Sequence, residues 1–368
     1  MIAILRCNSI ITDSRAKKYI DFLNRKGIKY RVLGWDRTNE NVTLKDTDFY
    51  KKKSGYNVGG FKAAKDRIAW MNYIIKYLKK NKFKTIHACD LDTAFPAVVY
   101  KILFDKKANV IFDIFDWYSD TLNNQNVIIR LAFRIMERIT TKYSDHIIIC
   151  EQERRKQIPY KLKKEPLILP NIPSFPHTDF LKIEKEYQFG NNRPTLTYVG
   201  GFIEDRCLSE LLRLVKDQHI NLLIAGFGSQ KLVDECIKLN EQYDNIKYFG
   251  KVEYTKGLNI MYNADILYAM YSKICPNNVF AAPNKYYETM LLGKPIISTK
   301  GIILEEKIIK NNIGYIVEED YSEIVALIHS LQKNDLTTKS LNAKELWNNI
   351  YCNYTEDFLQ KTYSNIIK

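Results

Sequence analysis

The sequence predicts an α/β protein of two doubly wound units, and three observations carry that prediction. Strand-like apolar runs alternate with helix-period segments along nearly the whole chain, the pattern of parallel sheets with crossover helices. The chain has 368 residues, more than the roughly 250–300 at which a single core stops growing. Five of its ten prolines fall between Pro166 and Pro194, a composition break that suits a connection between units.

Taken in order, residues 2–7 (Ile-Ala-Ile-Leu-Arg-Cys) read as a strand, and 15–26 as a helix with Ala16, Tyr19, Ile20, Phe22 and Leu23 at helical spacing. Residues 29–35 make a second strand. After a polar stretch over 51–60, apolar residues recur with helical period over 68–78, and a strand over 85–89 ends in Asp90-Leu91-Asp92. A helix over 95–103, a strand over 109–115, a helix over 127–143 and a strand over 146–150 complete the first series. The second series runs through strand 195–199, helix 208–215, strand 221–225, helix 231–241, strands 246–249 and 266–270, helix 285–292 and strand 295–298. Residues 347–368 form a last, aromatic-rich helical pattern. The expected organisation is a first Rossmann-like unit over 1–170, a linker over 171–193, a second Rossmann-like unit over 194–346, and a terminal helix over 347–368 that crosses back to the first. Open doubly wound sheets bind ligands at the carboxyl ends of their strands, so an interdomain cleft faced by both units is the expected site.

Charge is distributed unevenly. Residues 1–170 hold 34 Lys/Arg against 18 Asp/Glu, a balance of +16, while the remainder holds 22 against 24, a balance of −2. Such asymmetry points to an anionic partner for the first half, such as a membrane surface, a lipid diphosphate or a nucleic acid, with a merely solubilising surface as the alternative. Within it, 127–140 sets Arg130, Arg134 and Arg138 on one helical stripe with Ile128, Leu131, Ile135 and Ile139 around it. A basic amphipathic helix of this kind can lie on an anionic bilayer; a crossover helix with a solvated arginine edge reads equally well. No run approaches a membrane span and residues 1–9 lead straight into a strand pattern, so a cytoplasmic location, peripheral to the inner face of the membrane, is expected. The seven cysteines are scattered and form no C-x-x-C pair, which reads as reduced thiols without a zinc site.

The most specific segment is 283–297, Pro-Asn-Lys-Tyr-Tyr-Glu-Thr-Met-Leu-Leu-Gly-Lys-Pro-Ile-Ile. Asn284 is a good N-cap, Gly293 a good residue for the position just past the helix, and Pro295 prevents continuation. The N-terminus of such a helix offers free N–H groups and the positive end of its dipole to a diphosphate, and Lys285 adds charge. Glu288, one turn along, can accept hydrogen bonds from vicinal ribose hydroxyls. As a purely structural reading, Glu288 is a favourable early carboxylate of a capped helix.

The pattern P-N-K-x-x-E-x-x-x-x-G-K-P-I-I resembles the nucleotide-binding motif of GT-B glycosyltransferases of the retaining family-four kind. Tyr198-Val199-Gly200-Gly201-Phe202-Ile203-Glu204-Asp205-Arg206 is similar to that family's first strand and phosphate loop, with Arg206 as the basic residue meeting the diphosphate. Leu222–Gly228 resembles its strand and Gly-rich turn, Phe249-Gly250-Lys251-Val252 the segment beside the base, and Asn263-Ala264-Asp265-Ile266 and Leu169-Pro170-Asn171 further signatures. The resemblance implies a GT-B fold, an acceptor-binding first unit and a donor-binding second unit. Donor contacts are then expected from Gly200, Gly201, Arg206, Lys251, Val252, Asn284, Lys285 and Glu288. Catalytic roles fall to Arg206, Lys285 and Asp116, the last standing where the family carries an acid after the 109–115 strand.

Three departures from the family stand out. Phe280 occupies the place of a second Glu eight positions before Glu288, the first strand is followed by Asn8-Ser9-Ile10-Ile11-Thr12-Asp13-Ser14-Arg15 instead of a Gly-rich loop, and Phe115-Asp116 replaces the usual His and acid. Arg15, Asp90 and Asp92 are therefore the acceptor-side candidates. Asp90-Leu91-Asp92 also matches the D-x-D pattern that binds metal in the other large glycosyltransferase fold, but acceptor-site polarity is the expected role, with no metal and no cofactor beyond the donor substrate.

The expected activity is transfer of a sugar from a nucleoside-diphosphate sugar to a hydroxyl of a lipid-linked surface polysaccharide or oligosaccharide, with retention. The rivals are a non-transferring GT-B relative such as a nucleotide-sugar 2-epimerase, which needs acid and base carboxylates around the sugar, and a basic nucleic-acid binder, for which no module is present.

Overall fold

Seven parallel strands build the first sheet: β1 (Ile2–Arg6), β2 (Tyr30–Asp36), β3 (Thr47–Lys51), β4 (Thr85–Cys89), β5 (Asn109–Asp113), β6 (His146–Ile149) and β7 (Leu167–Ile168), in the order β3-β2-β1-β4-β5-β6-β7. Six more build the second: β8 (Thr195–Phe202), β9 (Asn221–Gly228), β10 (Ile246–Tyr248), β11 (Ile266–Ala269), β12 (Ile296–Thr299) and β13 (Gly314–Val317), in the order β10-β9-β8-β11-β12-β13. In this computed structural model residues 1–7, 13–37, 43–54, 61–121, 127–173 and 187–368 are described. Each sheet is doubly wound, so the order reverses between β1 and β4 in one and between β8 and β11 in the other. Ligand sites of open α/β sheets lie at such switch points.

The central strands are buried throughout, which is why Ile2-Ala3-Ile4-Leu5 and Leu222-Leu223-Ile224-Ala225 are continuous apolar runs instead of alternating ones. Three strands escape the periodicity, β13 at the edge of the second sheet among them. β3 is a half-buried edge strand of polar composition and β7 has only two residues. The helices Tyr254–Tyr262, Leu304–Lys310, Tyr321–Ser330 and Lys333–Leu346 extend the pattern beyond the expected elements.

Met1–Pro170 and Thr355–Lys368 form one compact unit, and Asn171–Tyr354 the other. Residues 171–173 and 187–193 of the expected linker cluster with the second unit, and 174–186 lie outside the described residues. The last segment is helical with two wider, i→i+5 stretches at Trp347–Tyr351 and Phe358–Tyr363. Within the first unit Tyr363 is fully buried and its hydroxyl lies 2.8 Å from Nδ1 of the core histidine His87. The Thr85 hydroxyl donates to the Ile367 carbonyl at 3.3 Å, and Asn109 to that of Ile366 at 2.5 Å.

Candidate active site

The start of the Asn284–Leu292 helix is tied to the carboxyl half of β8 by Lys285, whose ammonium donates to the Val199 carbonyl and sits 5.3 Å from the Tyr198 ring. The cap residue is Pro283, one position earlier than expected, so Asn284 is the first helical residue and no side chain caps the first turn. Those N–H groups thus keep the anion-binding character of a bare helix start. Gly293 ends the helix at φ 61°, the left-handed conformation that glycine adopts without penalty.

Glu288 is buried, with 3% of its surface exposed. One oxygen, Oε1, accepts from the Tyr254 hydroxyl at 2.9 Å, while Oε2 has no hydrogen-bond partner and lies 3.9 Å from the Lys285 ammonium. A buried carboxylate oxygen left open is costly unless a ligand completes it. Burial pushes the Lys285 pKa down; Glu288 opposes that shift and nearby Arg206 adds to it. Burial together with the Glu288 charge and hydrogen bond holds the Tyr254 phenol far above its ordinary range.

Arg206 closes the other side. It follows β8 in a short turn, lies 2.8 Å from the Asp205 carboxylate, reaches the Asn278 side-chain oxygen at 3.4 Å, and packs 4.6 Å above the Tyr271 ring that follows β11. Asn278 in turn donates to Asp205 at 2.8 Å, which fixes the turn. Two cations, a bare helix start and an open carboxylate therefore converge at the β8–β11 switch point. Tyr254, Tyr271, Tyr198 and Asn278 were not singled out from the sequence, because they come from separate elements and tyrosine, with 25 copies, carries no positional signal.

The glycines act by close approach. A Cβ on Gly200 would stand 3.3 Å from the Tyr198 hydroxyl and 3.5 Å from the Lys285 nitrogen, crowding the cationic pocket, whereas Gly201 is exposed and roomier. Gly226 and Gly228 belong to β9 itself instead of a turn after it, and a Cβ on Gly226 would fall 2.0 Å from the Gly200 carbonyl oxygen. Val252 packs near Val199, and Lys251 is exposed over the Phe227 ring at 4.9 Å, so both border the same strand ends.

In the first unit the expected residues have varied settings. Arg15, expected among the acceptor-side residues, is buried, 2.8 Å from Asp113 and donating to the Leu169 carbonyl at 2.6 Å. The reason is the charge of Asp113, which also accepts from Tyr19 at 2.8 Å and is held well below the usual carboxylate range by Arg15 and His87 despite its burial. His87, Cys89 and Asp113 are mutually close enough for a metal, within 4.8 Å, but Arg15 already supplies the cation there. Asp90, at φ 70°, is buried at the end of β4; one oxygen accepts from the Phe115 and Asp116 amides at 3.0 and 3.3 Å, the other pairs with Arg6. Burial lifts its pKa to about 7. Asp116 is half exposed and lies 3.7 Å from Arg154. Asp92 is fully buried with both oxygens unpartnered.

Residues 179–345 match the family described as glycosyl transferases group 1. The chain carries a group 1 glycosyltransferase domain. No curated protein sequence matches the chain. Among solved structures, sucrose-phosphate synthase from Thermosynechococcus elongatus is similar over 99% of both chains with a TM-score of 0.69 at 14% identity. Anabaena HepE in complex with UDP is similar over 99% of both, at 0.67 and 12%. WaaG, a glycosyltransferase involved in lipopolysaccharide biosynthesis, is similar over 97% of this chain and 98% of its own, at 0.66 and 14%. At such identities these likenesses establish the GT-B fold, and the group 1 domain marks the protein as a glycosyltransferase.

Proposed function

We propose that this glycosyltransferase moves a sugar, with retention, from a nucleoside-diphosphate sugar to a hydroxyl of a lipid-linked surface glycan. The observation that carries the donor half is the open Oε2 of buried Glu288 beside a bare helix start and two cations. The ribose hydroxyls donate to Glu288, and the diphosphate rests on the helix N-terminus. Arg206 and Lys285 stabilise the charge that grows on the diphosphate as the sugar leaves, the work a metal ion does elsewhere, so the transfer runs without one. Asn284 contributes a backbone N–H, and Lys251 and Val252 flank the base. UDP, the nucleotide bound by HepE, is the first candidate. Asp116 contacts the acceptor or the transferred sugar. The epimerase reading fits less well, since Phe280 puts a ring where that chemistry asks for a carboxylate.

A membrane role for the first unit is supported by the Val127–Tyr143 helix, which leaves Val127, Ile128, Leu131 and Ile135 exposed beside exposed Arg134 and Arg138. An anionic bilayer on the cytoplasmic side accepts both the aliphatic and the cationic groups. Among the described residues no helix is long and apolar enough to cross a membrane. Thermal stabilisation by UDP, GDP, CDP and ADP, each with and without divalent metal, tests the donor site. A metal-independent shift for one of them, lost in Glu288→Ala, is the expected result; no shift with any refutes it.

A further inference from the structure

Lys285 and Glu288 stand three residues apart on the Asn284–Leu292 helix, the spacing at which opposite charges on one helix pair with each other. Only 13% of the Lys285 side chain and 4% of the Glu288 side chain is exposed, so water screens their attraction weakly. The pair nevertheless stays open. The ammonium and Oε2 are 3.9 Å apart, about 1 Å beyond a charge-assisted hydrogen bond. Each partner is drawn elsewhere: Lys285 donates to the Val199 carbonyl in β8, and Oε1 of Glu288 accepts from the Tyr254 hydroxyl at 2.9 Å. Tyr254 is the first residue of the Tyr254–Tyr262 helix, and 43% of its surface is exposed although its hydroxyl meets the buried carboxylate. Burial and the Glu288 charge keep that phenol protonated, which makes it a permanent donor.

Without the hydroxyl, Oε1 would lose its donor in a buried place, where an unsatisfied carboxylate is costly. A small rotation of the carboxylate would then close the pair with Lys285. A closed pair takes from the site both the acceptor offered to the ribose and the cation offered to the diphosphate. We propose that Tyr254 is a positioning residue of the donor site: its hydroxyl holds Glu288 away from Lys285, so that both charges remain available to the nucleotide sugar. The consequence for the nucleotide rests on the donor-site reading above, whereas the opening of the pair does not.

The test has two readouts on the full chain. Lysine NMR, with the Lys285 signal assigned through Lys285→Arg, follows the titration of the ammonium without nucleotide in the wild type, in Tyr254→Phe and in Tyr254→Phe combined with Glu288→Gln. Calorimetry on the same samples measures binding of UDP, GDP, CDP and ADP and of the same nucleotides lacking both ribose hydroxyls. In Tyr254→Phe the Lys285 midpoint is expected to rise by about one pH unit or more, because a closed pair favours the charged ammonium. Adding Glu288→Gln should abolish the rise, since an amide cannot pair as an anion. The diphosphate that binds the wild type should bind Tyr254→Phe about tenfold more weakly, and its form without ribose hydroxyls should lose much less. An unmoved midpoint in Tyr254→Phe, a rise that survives in the double variant, or equal losses for the two nucleotide forms overturns the positioning role. Should Tyr254→Phe lose the cooperative melting of the wild type, Tyr254→Met, which also lacks the donor, takes its place. A wild type that binds none of the four diphosphates counts against the donor site, while the Lys285 midpoint still decides whether Tyr254 holds the pair open.

Discussion

Replacing Glu288 by Gln isolates one hydrogen-bonding atom. The amide keeps an oxygen for the Tyr254 hydroxyl, the contact now 2.9 Å long, and exchanges the unpartnered Oε2 for a group that can only donate. If ribose hydroxyls complete that oxygen, the change removes a hydrogen bond to a charged acceptor, worth about 1.5–3 kcal/mol. At 1.4 kcal/mol per decade this is a loss of about 10- to 150-fold in affinity for the nucleoside diphosphate. Titration calorimetry with UDP, or with whichever diphosphate stabilises the protein, measures it. The decisive control is the same nucleotide lacking both ribose hydroxyls, for which the substitution is expected to cost less than about threefold, the signature of a coupled pair. Equal losses for both nucleotides, or none for either, would refute the reasoning and leave Glu288 as an internal partner of Tyr254 and Lys285.

Lys285→Ala should lower the rate of sugar transfer far more than the affinity for the sugar donor, since its charge matters most when the diphosphate departs; steady-state kinetics would show an equal fall in kcat and kcat/KM. Arg15→Met should destabilise the first unit by about 3–5 kcal/mol by stranding Asp113, read by urea denaturation near neutral pH. Because the Asp113 pKa is depressed in the fold, this contribution is present above the usual Asp range and fades as pH falls toward the lowered value. Glu137 behaves in the opposite sense. It is buried, accepts from the Ser119 amide at 2.8 Å, and its pKa is raised to about 7, so above that pH it is ionised at a cost that disappears as pH falls toward the unfolded value. Glu137→Gln should therefore stabilise the protein by up to about 3 kcal/mol at pH 8 and by little at pH 5, in denaturant melts at the two values. Serine at Ile128, Leu131 and Ile135 together should weaken sedimentation with anionic vesicles at least tenfold without changing the melting temperature, because those side chains are exposed.

The helix at 284–292 was legible because its stop is written in the sequence: Gly293 supplies the left-handed turn and Pro295 the break. Its start shifted by one residue, since Pro283 takes the cap position and leaves Asn284 inside. Lys285 and Arg206 were legible as a spacing pattern, but their common pocket was not, because it is closed by Tyr254, Tyr271 and Asn278 from three other elements. The setting of Arg15 was not legible for a related reason. A basic residue at the start of a helix reads as a surface group, and only the sheet reveals that Asp113, nearly a hundred positions later, lies under it. β3 carried too few apolar residues for an alternation to register, and β7 was too short to form a period.

The first unit is discontinuous: its final piece, Thr355–Lys368, is separated from the rest by all of residues 171–354. Thr85 and His87, both buried, and half-buried Asn109 are polar groups in β4 and β5 whose partners Ile367, Tyr363 and Ile366 all belong to that piece. On the ribosome, at about 5–20 residues per second, the intervening stretch takes roughly 10–40 s to make. For that interval the nascent sheet has three polar side chains without their final partners, so the unit made first is the unit finished last. Its completion waits for the second unit to be synthesised, a built-in order that ties the maturity of one unit to the synthesis of the other.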